Sequence, residues 1–286
     1  MNKFITRYNL SGFKELIPLL LRCFPDFWEP RLAAGKYSFP YDLKLFTARL
    51  DNKIIGCIGI HEYNFLFDNM NYSCGGVSDV AVDPEFRGRG YAVQMQEFVI
   101  EFCRNNYKNA SLMPLYTDKP GVYIKQGWQI YESDRSNEIN AAMFPPEKTF
   151  KFDPSRLSLP CLREKKSPRT PEEVMAKRIM EIYLAGKKFN GKCIRSGKTW
   201  WELFTAPEHH WQLEANTYFL YQNDLLLEAY SSDADSPVSA FTPRHGGFDG
   251  GNKLMLNLPD NKTDSDKAIA LAIQNKSLIF PAADVF

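Results

Sequence analysis

One stretch constrains this chain more than any other: the apolar run Val77-Ser-Asp-Val-Ala-Val82 passes into Asp83-Pro-Glu-Phe-Arg-Gly-Arg-Gly90 and then into a helix-period segment from Ala92 to Arg104. A strand, a glycine-arginine turn and an amphipathic helix in that order build an anion cradle. Gly88 and Gly90 let backbone approach a ligand without Cβ interference, and the first N–H groups of the helix face outward. Arg87 and Arg89 add positive charge. Spacing excludes the better-known cradles. The Walker loop needs Lys-Ser/Thr after its second glycine, and the dinucleotide fingerprint needs a third glycine where Val93 stands.

Around this stretch the pattern alternates as an α/β domain does. Phe13–Cys23 carries a helical stripe with Pro18 inside it, which implies a kink or a later start. Leu45–Leu50 and Ile54–His61 read as a hairpin joined by Asp51-Asn52-Lys53, and Gly75–Val82 as a third strand. The helix after the turn shows Val93, Met95, Phe98, Val99 and Phe102 on one face. Ala110–Leu115 reads as a strand, Gly121–Gln126 as a short helix closed by Gly127, and Trp128–Tyr131 as a strand again.

At 286 residues the chain is long enough for two domains, taking roughly 150 residues for each. A proline-rich polar stretch from Pro145 to Thr170 divides it into an expected catalytic domain at 1–144, a linker at 145–170 and a second domain at 171–286. In the second half Thr170-Pro-Glu-Glu173 starts a helix whose apolar face is Val174, Ile179, Ile182 and Tyr183. Ala215–Tyr221, Leu225–Tyr230, Leu254–Leu258 and Leu278–Phe280 read as strands, and Asp264–Gln274 as a helix.

Composition narrows the function. With 44 % hydrophobic residues, 24 % charged residues and a formal net charge of +1, the chain is globular and offers no electrostatic case for nucleic acid. Its most apolar early segment, Leu16–Leu21, is too short to span a bilayer, so no membrane is expected. The six cysteines form no Cys-x-x-Cys pair, so no metal is expected, and a reducing, cytoplasmic setting is the simplest reading. His209-His210 invites a metal, but sequence neighbours on regular structure rarely chelate together.

The pattern Arg87-x-x-Gly-x-Ala92, with the element order around it, resembles the GNAT superfamily of N-acetyltransferases. Gly75–Val82 before the turn, Leu115-Tyr116 with Gly121-Val-Tyr123 and Gly127-Trp128 after it, and Arg195-Ser-x-x-x-Trp-Trp201 resemble the enhanced intracellular survival (Eis) acetyltransferases, over about residues 10 to 240. A Trp pair beside a basic turn also reads as plain packing. The resemblance implies an α/β fold with a mixed central sheet of GNAT type. A degenerate GNAT-like α+β domain would follow it, without the third, sterol-carrier-like domain usual in that family.

The same resemblance implies acetyl-CoA as acyl donor and a small-molecule primary amine as acceptor. A splayed strand would offer the backbone of Val80, Ala81 and Val82 to pantetheine. Arg87, Gly88, Arg89, Gly90, Tyr91 and Ala92 would hold the pyrophosphate. Tyr123 would protonate the departing thiolate, from a phenol whose ordinary pKa is about 10. For the general base Asp79, Glu62 and the terminal carboxylate of Phe286 stand as candidates; for the acceptor pocket, the loop Phe24-Pro-Asp26-Phe27-Trp28, whose other reading is a hydrophobic plug. A protein lysine as acceptor and a silent acyl-CoA-binding module are the competing functions, and a homo-oligomer is left open.

Overall fold

The computed structural model describes residues 5–35, 39, 43–107, 112–131, 145–163, 166–186, 192–222, 225–233, 240–241, 253–257 and 264–275. The expected strand at Leu278–Phe280 and the carboxylate of Phe286 lie outside them.

β1 (Ile5–Arg7) is followed by two short helices, α1 (Ile17–Cys23) and α2 (Pro25–Ala33). Each has a proline in its first turn, Pro18 second in α1 and Pro25 first in α2, where the missing N–H costs nothing, so α1 starts late rather than kinking. β2 (Leu43–Leu50) and β3 (Lys53–Phe67) form the expected hairpin, closed by Asp51 and Asn52 at φ +47° and +65°. β3 does not stop at His61. It runs on to Phe67, turns at Asp68 and Asn69, also at positive φ, and returns as β4 (Met70–Val82). β1 to β4 make one antiparallel sheet in chain order.

α3 (Tyr91–Asn106) packs on one face of this sheet through Met95, Val99, Ile100 and Cys103, with Phe98 and Phe102 against Phe46 at 5.1 and 5.0 Å. α1 and α2 pack on the other face, where Leu16, Leu19, Leu20 and Trp28 are fully enclosed with Leu45, Cys57 and Ala81. Each enclosed leucine contributes about 1.5–3 kcal/mol of transfer free energy.

β5 (Met113–Thr117) and β6 (Trp128–Ile130) do not pair with each other. Between them lies a strand from near the other end of the chain. The second unit comes first in sequence: α4 (Leu159–Arg163), α5 (Pro171–Ala185) and α6 (Gly197–Thr205) cover an antiparallel sheet of β7 (His209–Leu213), β8 (Thr217–Gln222), β9 (Leu225–Ser231) and β10 (Ala240–Phe241). The chain then returns as β11 (Lys253–Asn257), which pairs antiparallel with β5 on one side and β6 on the other. α7 (Asp264–Gln274) follows, placing Ile269 and Ala272 against Phe65, Phe67, Tyr72 and Leu256.

Two expectations are corrected here. Residues 253–257 are a central strand of the sheet that β5 and β6 begin, so the chain does not divide into consecutive blocks with all of 171–286 in the second. The physical reason is the gap between β5 and β6, whose facing polar edges need a strand between them. The central sheet is also not a continuous mixed one. Every described ladder is antiparallel, and β4 and β5, joined by the helical crossover that parallel neighbours require, share no ladder.

In the second unit Thr170 caps α5 as its sequence implies, its hydroxyl accepting from the Glu173 N–H at 3.1 Å. Glu173 in turn accepts from the Arg169 N–H and the Ser158 hydroxyl. Val174 is not on the buried face; it is 54 % exposed, and Ala176 takes that place beside Ile179, Ile182 and Tyr183. Arg195 and Glu228 form a fully buried bidentate pair at 2.5 and 2.8 Å, with the Tyr218 hydroxyl donating to the same carboxylate. Trp200 stacks on Phe204 and lies 4.7 Å from the Arg195 guanidinium, so the Trp pair's first member is core packing. The two units touch along the outer end of β3, where Leu66 N–H donates to Lys192 O and Ile194 N–H to Asn64 O.

Candidate active site

The Gly-Arg turn is anchored at its start by a buried acid. Asp83 ends β4 buried, accepts from the Glu85 N–H, and pairs with Arg22 at 2.7 Å and Lys53 at 3.7 Å. Burial works to raise its pKa, but the Glu85 N–H and the two cations hold the carboxyl below the usual carboxylate range. Beyond it Gly88 and Gly90 sit at φ +75° and +81°, with open space where a Cβ would stand. Gly90 is the N-cap of α3, no side chain caps that end, and no acid lies in its first turn. The start of α3 therefore presents N–H groups and the positive end of the helix dipole. Arg87 is held by Nε donating to Val82 O at 3.1 Å. Arg89 turns away, donating to Glu85 O and lying over the Phe86 ring at 5.4 Å.

β4 opens the second wall. Between the pairs Cys57↔Ala81 and Gly59↔Ser78, β3 has the single residue Ile58 while β4 has both Asp79 and Val80, a bulge with Asp79 at φ +50°. A bulge breaks the alternation of side chains that a plain strand would impose. Ser78 Oγ donates to the Asp79 carboxylate at 2.8 Å. Because β4 pairs with β3 and has no ladder to β5, its far edge faces an opening. A cavity of about 900 Å³ occupies that opening, bordered by Val77–Val82, by the turn and the start of α3, by Leu115–Lys119, and by Tyr123.

Tyr123 stands between two single-turn 3-10 helices, Pro120–Val122 and Ile124–Gln126. Its ring is 8 % exposed and meets Trp128 edge-on at 6.1 Å. Burial, with the nearby Asp118 carboxylate, pushes the phenol up to about 12 against an opposing hydrogen bond with Thr117. The phenol is therefore protonated throughout the neutral range. The turn behind it is fixed at Gly127, φ +83°, and by the Asn257 side-chain amide of β11 donating to Gln126 O at 2.9 Å. Gln96 of α3 donates to Val122 O at 3.4 Å.

The structure brings Asp79, Val80, Ala81, Val82, Arg87, Gly88, Gly90, Tyr91, Ala92 and Tyr123 to one cavity, with Phe24, Phe27 and Trp28 on a further wall. Arg89, Asp26 and Glu62 do not border it: Asp26 sits in the exposed first turn of α2, and Glu62 is exposed on β3 opposite Gly75. Phe286 is outside the described residues. Cys23, absent from the sequence-derived candidates, does border it; its thiol donates to Val82 O at 3.5 Å, and burial raises its pKa so that it stays neutral. Elsewhere His209 Nδ1 bonds Leu203 O at 2.9 Å, and no cluster of His, Cys, Asp or Glu that could hold a metal exists among the described residues.

Comparison with known proteins covers β4, the glycine turn and α3, and stops just short of Tyr123. Residues 13–122 match the acetyltransferase (GNAT) family. Among solved structures, a GCN5-related N-acetyltransferase from Kribbella flavida is similar with a TM-score of 0.53 and 14 % identity, over 88 % of this chain and 70 % of its own. Another from Anabaena variabilis gives 0.52 and 13 %, over 88 % and 71 %. At those identities the likeness is one of fold. No curated protein sequence matches the chain. The match at residues 13–122 supports an acyltransferase.

Proposed function

We propose, from the premise that residues 13–122 form a GNAT acetyltransferase domain, that the protein moves an acetyl group from acetyl-CoA to the nitrogen of a primary amine by direct transfer. The observation that carries this is the opening between β4 and β5, with the glycine turn at one end and a protonated Tyr123 in its wall. Gly88 and Gly90 provide a cradle that any Cβ would narrow, and Arg87 and the α3 N-terminus supply charge for a pyrophosphate. Acetyl-CoA, when bound there, supplies an activated thioester carbonyl.

Four tasks fall to the chain. The unladdered edge of β4 at Val80–Val82 pairs with the amide arms of the donor, and a backbone N–H near Val80 polarises the carbonyl. A base takes a proton from the acceptor ammonium; of the side-chain candidates, Asp79 is the one that borders the cavity. The nitrogen–carbon bond forms as the carbon–sulfur bond breaks, and Tyr123 passes its phenolic proton to sulfur. Raised to about 12, Tyr123 is in the donor state at neutral pH and does not serve as the base.

On the same reading the unit built on β7–β10 is a degenerate GNAT-like domain of Eis type. What supports this is an antiparallel sheet with helices against it and the absence of any Arg-x-x-Gly-x-Gly/Ala pattern from the sequence after residue 170. The six free thiols favour a reducing, cytoplasmic compartment, and no described helix is long and apolar enough to cross a membrane. The deciding experiment follows release of the CoA thiol from acetyl-CoA with polyamines, aminoglycosides, amino acids and lysine peptides. Amine-dependent release is expected. Acetyl-CoA binding without turnover on any acceptor would leave a silent binding module, and turnover on peptides alone would make the protein a lysine acetyltransferase.

A further inference from the structure

Both arginines of the glycine turn donate into the backbone that leads up to it. Arg87 Nε bonds Val82 O at 3.1 Å, and Arg89 Nη2 bonds Glu85 O at 3.3 Å. The first of these bonds lands on the edge that a donor would read. The Asp83 N–H bonds Ile55 O of β3 at 2.8 Å, and in an antiparallel ladder successive residues turn their N–H and C=O to opposite edges, so those of Val82 face away from β3. That edge forms no ladder among the described residues. The Val82 carbonyl nevertheless has two donors. Besides Arg87 it takes the Cys23 thiol at 3.5 Å, from the end of α1, and Arg87 Nη2 in turn reaches Cys23 Sγ at 3.9 Å. A carbonyl oxygen has two lone pairs, so an incoming amide N–H would have to displace one of these donors. Arg87, Cys23 and Val82 all border the cavity.

This strap holds a turn that cannot hold itself. Gly88 and Gly90, at positive φ with open space around them, offer no side chain to fix them, and Arg87 just before them is extended, at φ −65° and ψ 160°. Glycine has the widest choice of backbone conformations, so the cradle keeps its shape only as far as its flanks are tied. Asp83 ties the start, through the Glu85 N–H and Arg22. The Nε of Arg87 ties the end, and Cys23, which follows Arg22 on α1, closes the same carbonyl from the other side. The tie needs a donor at one point along the side chain and no charge. Glutamine places its amide nitrogen as far along the chain as arginine places Nε, whereas lysine has a methylene there and its ammonium beyond it.

Resting on the reading of this cavity as an acetyl-CoA site, we infer that Arg87 and Cys23 are positioning residues: they shape the glycine turn from the Val82 carbonyl, and the Nε bond of Arg87 contributes more to donor binding than its charge does. The test is calorimetric titration of the full chain with CoA, at low salt and at about 0.5 M salt, where screening sets in within roughly 4 Å. Arg87→Gln, which keeps a donor at the Nε position and loses the charge, is expected to weaken binding about threefold at low salt and less at high salt. Arg87→Lys, which keeps the charge and loses that donor, is expected to weaken it about tenfold at both. Cys23→Ala is expected to cost about threefold, and Cys23→Ser, which keeps a donor to Val82 O, to recover most of that. Arg87→Lys binding CoA as tightly as Arg87→Gln at high salt would overturn the inference for Arg87, and Cys23→Ser binding no better than Cys23→Ala would overturn it for Cys23; both leave the acetyl-CoA site in place. An unsubstituted chain that binds no CoA at either salt would overturn the site and the inference together.

Discussion

Tyr123 and His61 show burial as the largest influence on two titratable groups, acting in opposite directions. Tyr123, pushed up to about 12, keeps its proton through the neutral range, the state that the proposed transfer to a thiolate requires. Tyr123→Phe should lower kcat roughly a hundredfold with little change in acetyl-CoA affinity, checked by steady-state kinetics beside direct binding. His61, enclosed on β3 opposite Gly76, is held down to about 3 by burial and is neutral in the folded state. Unfolded, it protonates near 6.5, so its contribution is fully present above that pH and is lost as pH falls from 6.5 toward 3. A His61→Gln protein should show a flatter fall of melting temperature over that window. Arg87, Gly88, Gly90 and Tyr123, which the structure brings to one cavity, were legible because their candidacy rests on local spacing. Asp79 at positive φ was not legible, because a bulge is a property of two strands in register, and Asp83 escaped notice because its partners Arg22 and Lys53 are 61 and 30 positions away along the chain.

Elements were legible where they announce their own ends. Pro18 and Pro25 mark helix starts, Asp51-Asn52 marks a hairpin, and Thr170 marks the start of α5. Removing that last signal with Thr170→Ala should cost about 1 kcal/mol, read as a shift in the denaturant midpoint with an unchanged slope. The second hairpin, at Asp68-Asn69, carries the same two-residue signal as the first but lies in a run without clear alternation. β11 gave no sign of its place at all. Its strand character is local, whereas its neighbours β5 and β6 lie more than a hundred residues before it. Beside its ladder to Leu115–Thr117 in the cavity wall, it reaches the turn behind Tyr123 through one side chain. Asn257→Ala should remove the bond to Gln126 O, cost about 1–2 kcal/mol and lower kcat more than it raises the KM for acetyl-CoA. Thermal melts with the kcat and KM split would check this, and Asn257→Ser, which keeps a donor, should recover part of the loss.

At the scale of the molecule the two units are not beads on a string. Residues 145–241 lie between β6 and the strand that completes its sheet, and β3 bonds residues 192 and 194 of the intervening unit. A fragment ending at residue 144 should therefore fail to fold into an acetyl-CoA-binding unit, whereas the full chain binds; calorimetric titration with CoA and the cooperativity of unfolding would show it. Adding a peptide covering residues 250–275 to that fragment should restore some binding by supplying β11 and α7.

The interleaved strand also sets a clock on synthesis. A ribosome delivers roughly 5–20 residues per second, so β5 and β6 wait on the order of ten seconds for β11 to emerge. Through that interval the intervening unit is free to fold first, and the nascent half-sheet carries two open edges that invite pairing with any passing strand. That exposure ends only when β11 pairs with both β5 and β6.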